Sequence, residues 1–376
     1  MSQREQMHRR WTSWAPAMVL LLIAAGLVRQ SSSSEPAVFP VVAPGVPLQF
    51  PRDHGAHPDF RVEWWYVTGS IHTAEGGETL GFQITLFRVR PEIDAANPSA
   101  FTPRQVLLAH CAIADPAHGR LWQEQRVRRA GLGLAEARSG DLRVWIDDWK
   151  LERRADSAPD AYTLVANAQQ CGLDLTLTAT EPPLLNGDAG FSQKAPAPQS
   201  ASEYYSQPHL RVTGAIQRPG RRDQVTGEAW LDHEWASEYL DPNAVGWDWI
   251  GINLEDGAAL MAFEIRDRNG RPYWAAGTLR DASGQVQRFA PREIEFTPLR
   301  RWRSPRSGVL YPVAQRVRFG SRELELAPLL EDQEFDARAS AGALYWEGAV
   351  TASERGQTRG HGYLELTGYA QPLALP

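Results

Sequence analysis

Large apolar residues alternate with small or polar ones along much of the chain. Leu80, Phe82, Ile84 and Leu86 are separated by Gly81, Gln83 and Thr85, the period-two pattern of a strand with one buried face. Just before it, Phe60–Ile71 is rich in aromatic and β-branched residues, and the turn Glu75-Gly76-Gly77-Glu78 predicts a hairpin between the two. Similar segments recur at Val106–Ala114, Leu142–Asp147, Tyr162–Asn167, Leu173–Thr180 and Leu210–Ile216. The second half continues with Gly227–Trp235, Gly246–Leu254, Ala258–Arg266, Tyr273–Leu279, Glu293–Thr297, Val313–Val317, Glu323–Leu326, Gly342–Val350 and Gly362–Gly368. Helical periodicity is confined to a turn or two at Ala130–Ala137. Short, evenly spaced strands punctuated by Gly and Pro predict an all-β chain of sandwiches or barrels rather than alternating βα units.

The 376 residues exceed the roughly 250–300 at which one core stops growing, so two domains are expected. A short repeat agrees: Trp65-Tyr66-Val67-Thr68-Gly69, a turn and a strand ending in Phe87-Arg88 resemble Trp247-Asp248-Trp249-Ile250-Gly251, a turn and a strand ending in Ile265-Arg266. With the seam near 217–226, the domains fall at 51–218 and 219–376, each a β-barrel with Trp65 and Trp247 in corresponding positions. Residues 1–35 read as an export segment: a basic start (Arg4, Arg9, Arg10), an apolar run Trp14–Val28 shorter than a membrane span, and Ser31–Ser34. A cleaved signal peptide or a retained N-terminal anchor is expected, with a periplasmic or secreted product; residues 36–50 read as a linker.

Composition narrows the partners. A net charge of −6, from 39 basic and 45 acidic residues without a polybasic run, argues against nucleic acid and for a small molecule or a protein, a membrane transporter among them. Oligomeric state is not legible. Cys111 and Cys171 each lie in an apolar stretch, where a disulfide and two buried thiols are both open. Gly190-Phe191-Ser192-Gln193-Lys194 lacks the last glycine of a nucleophile elbow, so a serine hydrolase is not expected. His54-Gly55-Ala56-His57 precedes the first strand without a second histidine pair at ligand spacing. Its imidazoles are expected to bond to backbone or water, and no metal or other cofactor is assigned.

One stretch concentrates chemistry. Between Gly227 and Leu254 lie four tryptophans, six carboxylates and a histidine. Alternation puts Leu231, His233 and Trp235 on one face and Trp230, Asp232 and Glu234 on the other. A carboxyl buried beside indole is held neutral and becomes a usable acid near neutral pH. Glu63-Trp64-Trp65-Tyr66 likewise occupies both faces of its strand, and Tyr204-Tyr205-Ser206 suggests a hydroxyl-bearing rim at the domain junction.

Trp64-Trp65-Tyr66-x-x-Gly69, Tyr204-Tyr205-Ser206, Asp232-His233-Glu234-Trp235, Trp247-x-Trp249 and Gly362-Tyr363-Leu364-Glu365-Leu366-Thr367-Gly368-Tyr369 together resemble the AttH-like proteins over about residues 50–370. These bacterial exported proteins are related to carotenoid 1,2-hydratase (hydroxyneurosporene synthase). The resemblance implies two consecutive lipocalin-like β-barrel domains. With the tryptophan-rich strands, such barrels lead to the expectation of an aromatic pocket near the domain junction for a lipophilic, isoprenoid-like molecule, lined by Trp65, Tyr66, Tyr204, Tyr205, Trp230, Trp235, Trp247 and Trp249. In the hydratase branch an Asp-His-x-Trp motif and a later acidic residue add water to a C=C bond. The motif falls on Asp232, His233 and Trp235; Glu264 is the nearest later carboxylate and does not match cleanly. Asp232 is then the first candidate acid, Glu264 the second, and His233 a relay. Three readings follow: a binding protein, a cofactor-independent hydro-lyase, or an accessory of a membrane transport system. Carboxylates in the cavity wall would favour the enzyme.

Overall fold

The computed structural model describes residues 38–93, 99 and 101–373; the expected export segment lies outside the described residues. Residues 62–236 form one antiparallel sheet: β1 (Val62–Thr73), β2 (Thr79–Val89), β3 (Val106–Asp115), β4 (Arg120–Arg129), β5 (Ala135–Ala137), β6 (Arg143–Ile146), β7 (Trp149–Arg153), β8 (Ala161–Ala166), β9 (Gly172–Thr178), β10 (Leu184–Leu185), β11 (Phe191–Gln193), β12 (Ala201–Arg218) and β13 (Arg221–Ala236). A second holds β14 (Ala244–Leu254), β15 (Ala259–Asp267), β16 (Pro272–Arg280), β17 (Val286–Phe289), β18 (Ile294–Arg303), β19 (Leu310–Phe319), β20 (Arg322–Pro328), β21 (Glu334–Ala337), β22 (Ala343–Glu354) and β23 (Gln357–Leu366).

In the first sheet the order runs β4-β3-β2-β1-β13-β12-β9-β8-β7-β6-β5, and β6 comes back against β3 and β4. The second runs β17-β16-β15-β14-β23-β22-β20-β19-β18, with β18 returning against β15 and β16. Each sheet therefore curls round a core of its own, Trp65, Phe82, Trp149 and Tyr162 in the first and Ile250, Leu260, Tyr311 and Trp346 in the second. The architecture is all-β and lipocalin-like.

The connectivity repeats. β1 lies between its hairpin partner β2 and the closing strand β13, as β14 lies between β15 and β23. The aligned tryptophans do not share a facing, however. Trp65 points into the first core, whereas Trp247 packs outside its own barrel, against the layer between the sheets. The glycines that completed the motif differ in the same way: a Cβ on Gly69 would strike Phe82 in the core, and one on Gly251 would strike Trp230 and Trp249 outside it.

Other expectations are corrected. The stretch 217–226 is not a seam but the tip of the β12–β13 hairpin, where Arg218 pairs with Arg221; the chain changes sheet after Ala236. Tyr204 and Tyr205 lie within β12 rather than on a rim. Ala130–Ala137 makes a turn and the short β5 instead of a helix. Part of the supposed linker is structural, with Val42 buried and Leu48 packed on the first core. Cys111 and Cys171 are buried thiols, the Cys111 thiol donating to the Cys171 carbonyl at 2.7 Å.

Candidate active site

The two barrels meet through an aromatic layer that includes Tyr66, Tyr204, Trp230, Trp249, Phe263 and Tyr363. Within it is a cavity of about 120 Å³, whose walls include Trp64, Tyr66, Phe87, Tyr239, Trp247, Trp249 and Tyr345. A water requires roughly 10–15 Å³ on this scale, so the space admits a compact organic group. Five buried carboxylates also line it: Asp232, Glu234, Glu347, Glu365 and, paired with Arg88, Glu63. The alternation read from β13 explains two of them, since Asp232 and Glu234 face this layer while Leu231 and Trp235 belong to the first core.

Three donors converge on Asp232. The Ser206 hydroxyl (2.5 Å) and the Trp230 indole N–H (2.6 Å) bond to Oδ1, and the Tyr204 hydroxyl (2.6 Å) bonds to Oδ2. Tyr204 in turn accepts from the Trp249 indole at 2.9 Å. Burial pushes the Asp232 carboxyl up to about 7 even though all three donors favour its anion. It therefore exchanges a proton near neutral pH.

Glu347 and Glu365 are direct cross-strand partners on β22 and β23. Burial raises Glu347 well above the usual carboxylate range, with Glu365 adding to the shift. Burial pushes Glu365 up to about 7, partly offset by the Trp247 indole and reinforced by the charges of Asp232 and Glu234. Such a pair holds at least one proton at pH 7. Tyr66 and Gln83 face Glu347, yet the Tyr66 hydroxyl and the Gln83 amide are buried without a closed hydrogen bond. Unsatisfied polar atoms beside an apolar cavity mark a place for a ligand group or water.

Glu234 is compensated by a lysine. Lys194 Nζ lies 2.7 Å from Glu234 and donates to Ser192 Oγ at 2.9 Å, with the Phe263 ring 4.3 Å away. Burial moves both members toward neutrality, lowering Lys194 and raising Glu234. Ser192, in the stretch compared with a nucleophile elbow, is thus a hydrogen-bond partner of a buried lysine.

Of the expected catalytic residues, only Asp232 lines this cavity. His233 points into the first barrel, where Nε2 is 2.9 Å from Glu63 Oε1. Glu264 shares the face of β15 that carries Leu260 and Ala262 into the second core, and burial with Asp248 nearby pushes it up to about 7. It has the chemistry of an acid on the wrong side of its strand. Among the expected ligand contacts, Tyr66, Trp247 and Trp249 line the cavity, and Tyr204 and Trp230 stand behind Asp232. Trp65, Tyr205 and Trp235 belong to the first core. Sequence reasoning missed Glu347, Glu365 and Lys194; an acid alternating with apolar neighbours in Tyr345-Trp346-Glu347 and Tyr363-Leu364-Glu365 was the available signal. The loop histidines bond to side chains, His54 to Tyr205 at 2.7 Å and His57 to Glu63 at 2.8 Å, rather than to backbone or water.

The raised carboxyls tie stability to pH. Glu365 ionises near 4.5 in an unfolded chain and near 7 when folded, so its share of stability is whole below pH 4.5 and is lost as pH rises through 7. That window corresponds to roughly 3 kcal/mol for one fully buried carboxyl. Urea unfolding at pH 5 and pH 8 should therefore show Glu365→Gln gaining on the wild type at the higher pH. An equal response of both proteins would contradict a neutral Glu365.

These features define a class: an all-β protein of two lipocalin-like barrels enclosing an acid-lined aromatic cavity between them. The chain belongs to the AttH-like family, which matches it over residues 41–369. An AttH protein of Nitrosomonas europaea is 52% identical, covers 88% of this chain and 100% of its own, and superposes with a TM-score of 0.82. Kievitone hydratase of Nectria haematococca shares the fold at 16% identity, covering 89% of this chain and 95% of its own, with a TM-score of 0.64. No curated protein sequence matches.

Proposed function

We propose that the inter-barrel cavity binds a lipophilic, isoprenoid-like small molecule and adds water to a carbon–carbon double bond, or forms that bond by eliminating water from the alcohol, by acid and base catalysis without a cofactor. The observation carrying this reading is the set of carboxyls with raised pKa in an aromatic wall; simple carriage of an apolar ligand needs none of them. The Glu347–Glu365 pair, which holds a proton at pH 7, is the acid that protonates carbon. Asp232, whose three donors suit its anion, is the base that takes the proton from the attacking water. Trp247, Trp249 and Tyr66 present ring faces to the cation between these steps, each worth about 0.5–2 kcal/mol. That kievitone hydratase carries the same fold is in keeping with water addition.

The test is mass spectrometry of the small molecule that co-purifies, followed by incubation of that molecule and of isoprenoid alkenes with the protein in H2(18)O. Incorporation of one labelled oxygen supports the hydro-lyase; tight binding with every compound recovered unlabelled and unchanged replaces it with a carrier. The basic-then-apolar start of the chain supports a periplasmic or secreted setting, with a membrane transporter as one route for the ligand. Fractionation that finds the protein in the cytoplasm removes that setting.

A further inference from the structure

His57, Glu63 and His233, on the face of β13 opposite Asp232, bring one ligand atom each to within 4.8 Å of one another, and Glu63 also reaches the cavity. His57 Nδ1 and His233 Nε2 point at the same oxygen, Glu63 Oε1, at 2.8 and 2.9 Å. The far nitrogen of each ring also faces an acceptor: His57 Nε2 lies 3.3 Å from Asp53 Oδ1, and His233 Nδ1 lies 3.1 Å from the Asp53 carbonyl. The nearby Tyr205 hydroxyl is closer to His54 Nδ1, at 2.7 Å, than to His233 Nδ1, at 3.3 Å.

A neutral imidazole has one N–H. When each ring spends it on Asp53, two lone pairs face a carboxylate oxygen, an arrangement that a cation between them satisfies. We propose that His57, Glu63 and His233 form a divalent transition-metal site of the two-histidine, one-carboxylate type. Its donor set of imidazole and carboxylate without thiolate suits zinc, iron(II) or cobalt(II), and three protein ligands leave coordination positions open.

The surroundings are those of a built site. Both rings are oriented by hydrogen bonds from their outer nitrogens, the usual arrangement around metal-bound histidine. Trp235 stacks on His57 with centroids 3.7 Å apart, and Trp65 on His233 at 4.7 Å. Arg88 Nε donates to the other Glu63 oxygen at 2.7 Å and the His57 backbone N–H to both oxygens, at 3.1 Å (Oε1) and 3.0 Å (Oε2), which fixes the carboxylate with the second lone pair of Oε1 available to the cation. Access is from the His57 side, whose side chain is 18% exposed while those of Glu63 and His233 are fully buried. Glu203, on the strand beside β13, is influenced by His57 and Asp53 and keeps a buried oxygen without a partner.

Equilibrium dialysis of the full-length protein against Zn(II), with metal counted by mass spectrometry, tests this, together with the visible spectrum after loading with Co(II). The wild type should take up one equivalent and give cobalt bands of an ordered nitrogen and oxygen site. His57→Asn, in a partly exposed loop, should weaken binding by more than about 100-fold, and Asp53→Asn by about 10–100-fold, as expected for an orienting partner. His57→Gln serves if the Asn variant does not fold. No stoichiometric uptake by the wild type overturns the proposal, and so does equal uptake by the His57 variants, which would locate the metal at an adventitious surface site.

Discussion

Asp232→Asn loses turnover by roughly 10²–10⁴ on any alkene the wild type hydrates, and still binds that alkene. Asn keeps the size of the carboxylate, and the hydroxyls of Tyr204 and Ser206 can rotate to pair with its amide, so the cavity wall survives. What disappears is the only state of residue 232 able to take a proton from water. Steady-state kinetics with a parallel binding titration separates the two effects. Glu264→Gln, in the core of the second barrel, leaves turnover within a few-fold. Full activity in Asp232→Asn would end the assignment, and a large loss in Glu264→Gln would move the chemistry to the second acid the sequence suggested.

The second large effect is on stability. Arg88→Met should destabilise the protein by roughly 3–5 kcal/mol, the range for removing one partner of a buried ion pair. Arg88 and Glu63 have no exposed side-chain surface, and the same guanidinium also donates to the carbonyls of His57 and Phe60, both at 3.0 Å. Met fills similar volume, so the loss reports the uncompensated carboxylate and the two orphaned carbonyls rather than a void. The Glu63→Gln/Arg88→Met double variant should recover part of it, because no buried charge is then left over. Chemical denaturation of the single and double variants measures this; a single-variant loss below about 1 kcal/mol would mean that the histidines alone hold Glu63.

The strand content was legible because alternation is local: side chains two residues apart share a face whatever the sheet does later. The division of β13 into a carboxylate face and an imidazole face followed from the same rule. Which face looks into a barrel is not local. Glu264 and Glu365 read alike, each an acid flanked by apolar residues in a strand, yet β15 turns Glu264 into its barrel and β23 turns Glu365 toward the cavity. Trp65 and Trp247 were matched on spacing to a glycine and differ by the same ambiguity. β4 was overlooked because its half-exposed sequence, Arg-Leu-Trp-Gln-Glu-Gln-Arg-Val-Arg-Arg, has little apolar alternation. Lys194 gave no signal, since a lysine in a short, polar segment reads as solvated until Glu234 and three aromatic rings enclose it.

The two-faced strand also guards its own assembly. β13 pairs with β1 so that Trp65 opposes His233 and Tyr66 opposes Asp232. Sliding β13 by one residue would exchange its faces, sending Asp232 or Glu234 into the chamber already occupied by Glu63 and turning His233 out among the indoles. A misaligned chain would confront carboxylate with carboxylate and leave Arg88 with too few N–H donors to settle both. Charge here acts as a proofreader of strand alignment, rejecting a neighbouring register that hydrophobic pattern alone, with tryptophan on either side, would scarcely distinguish.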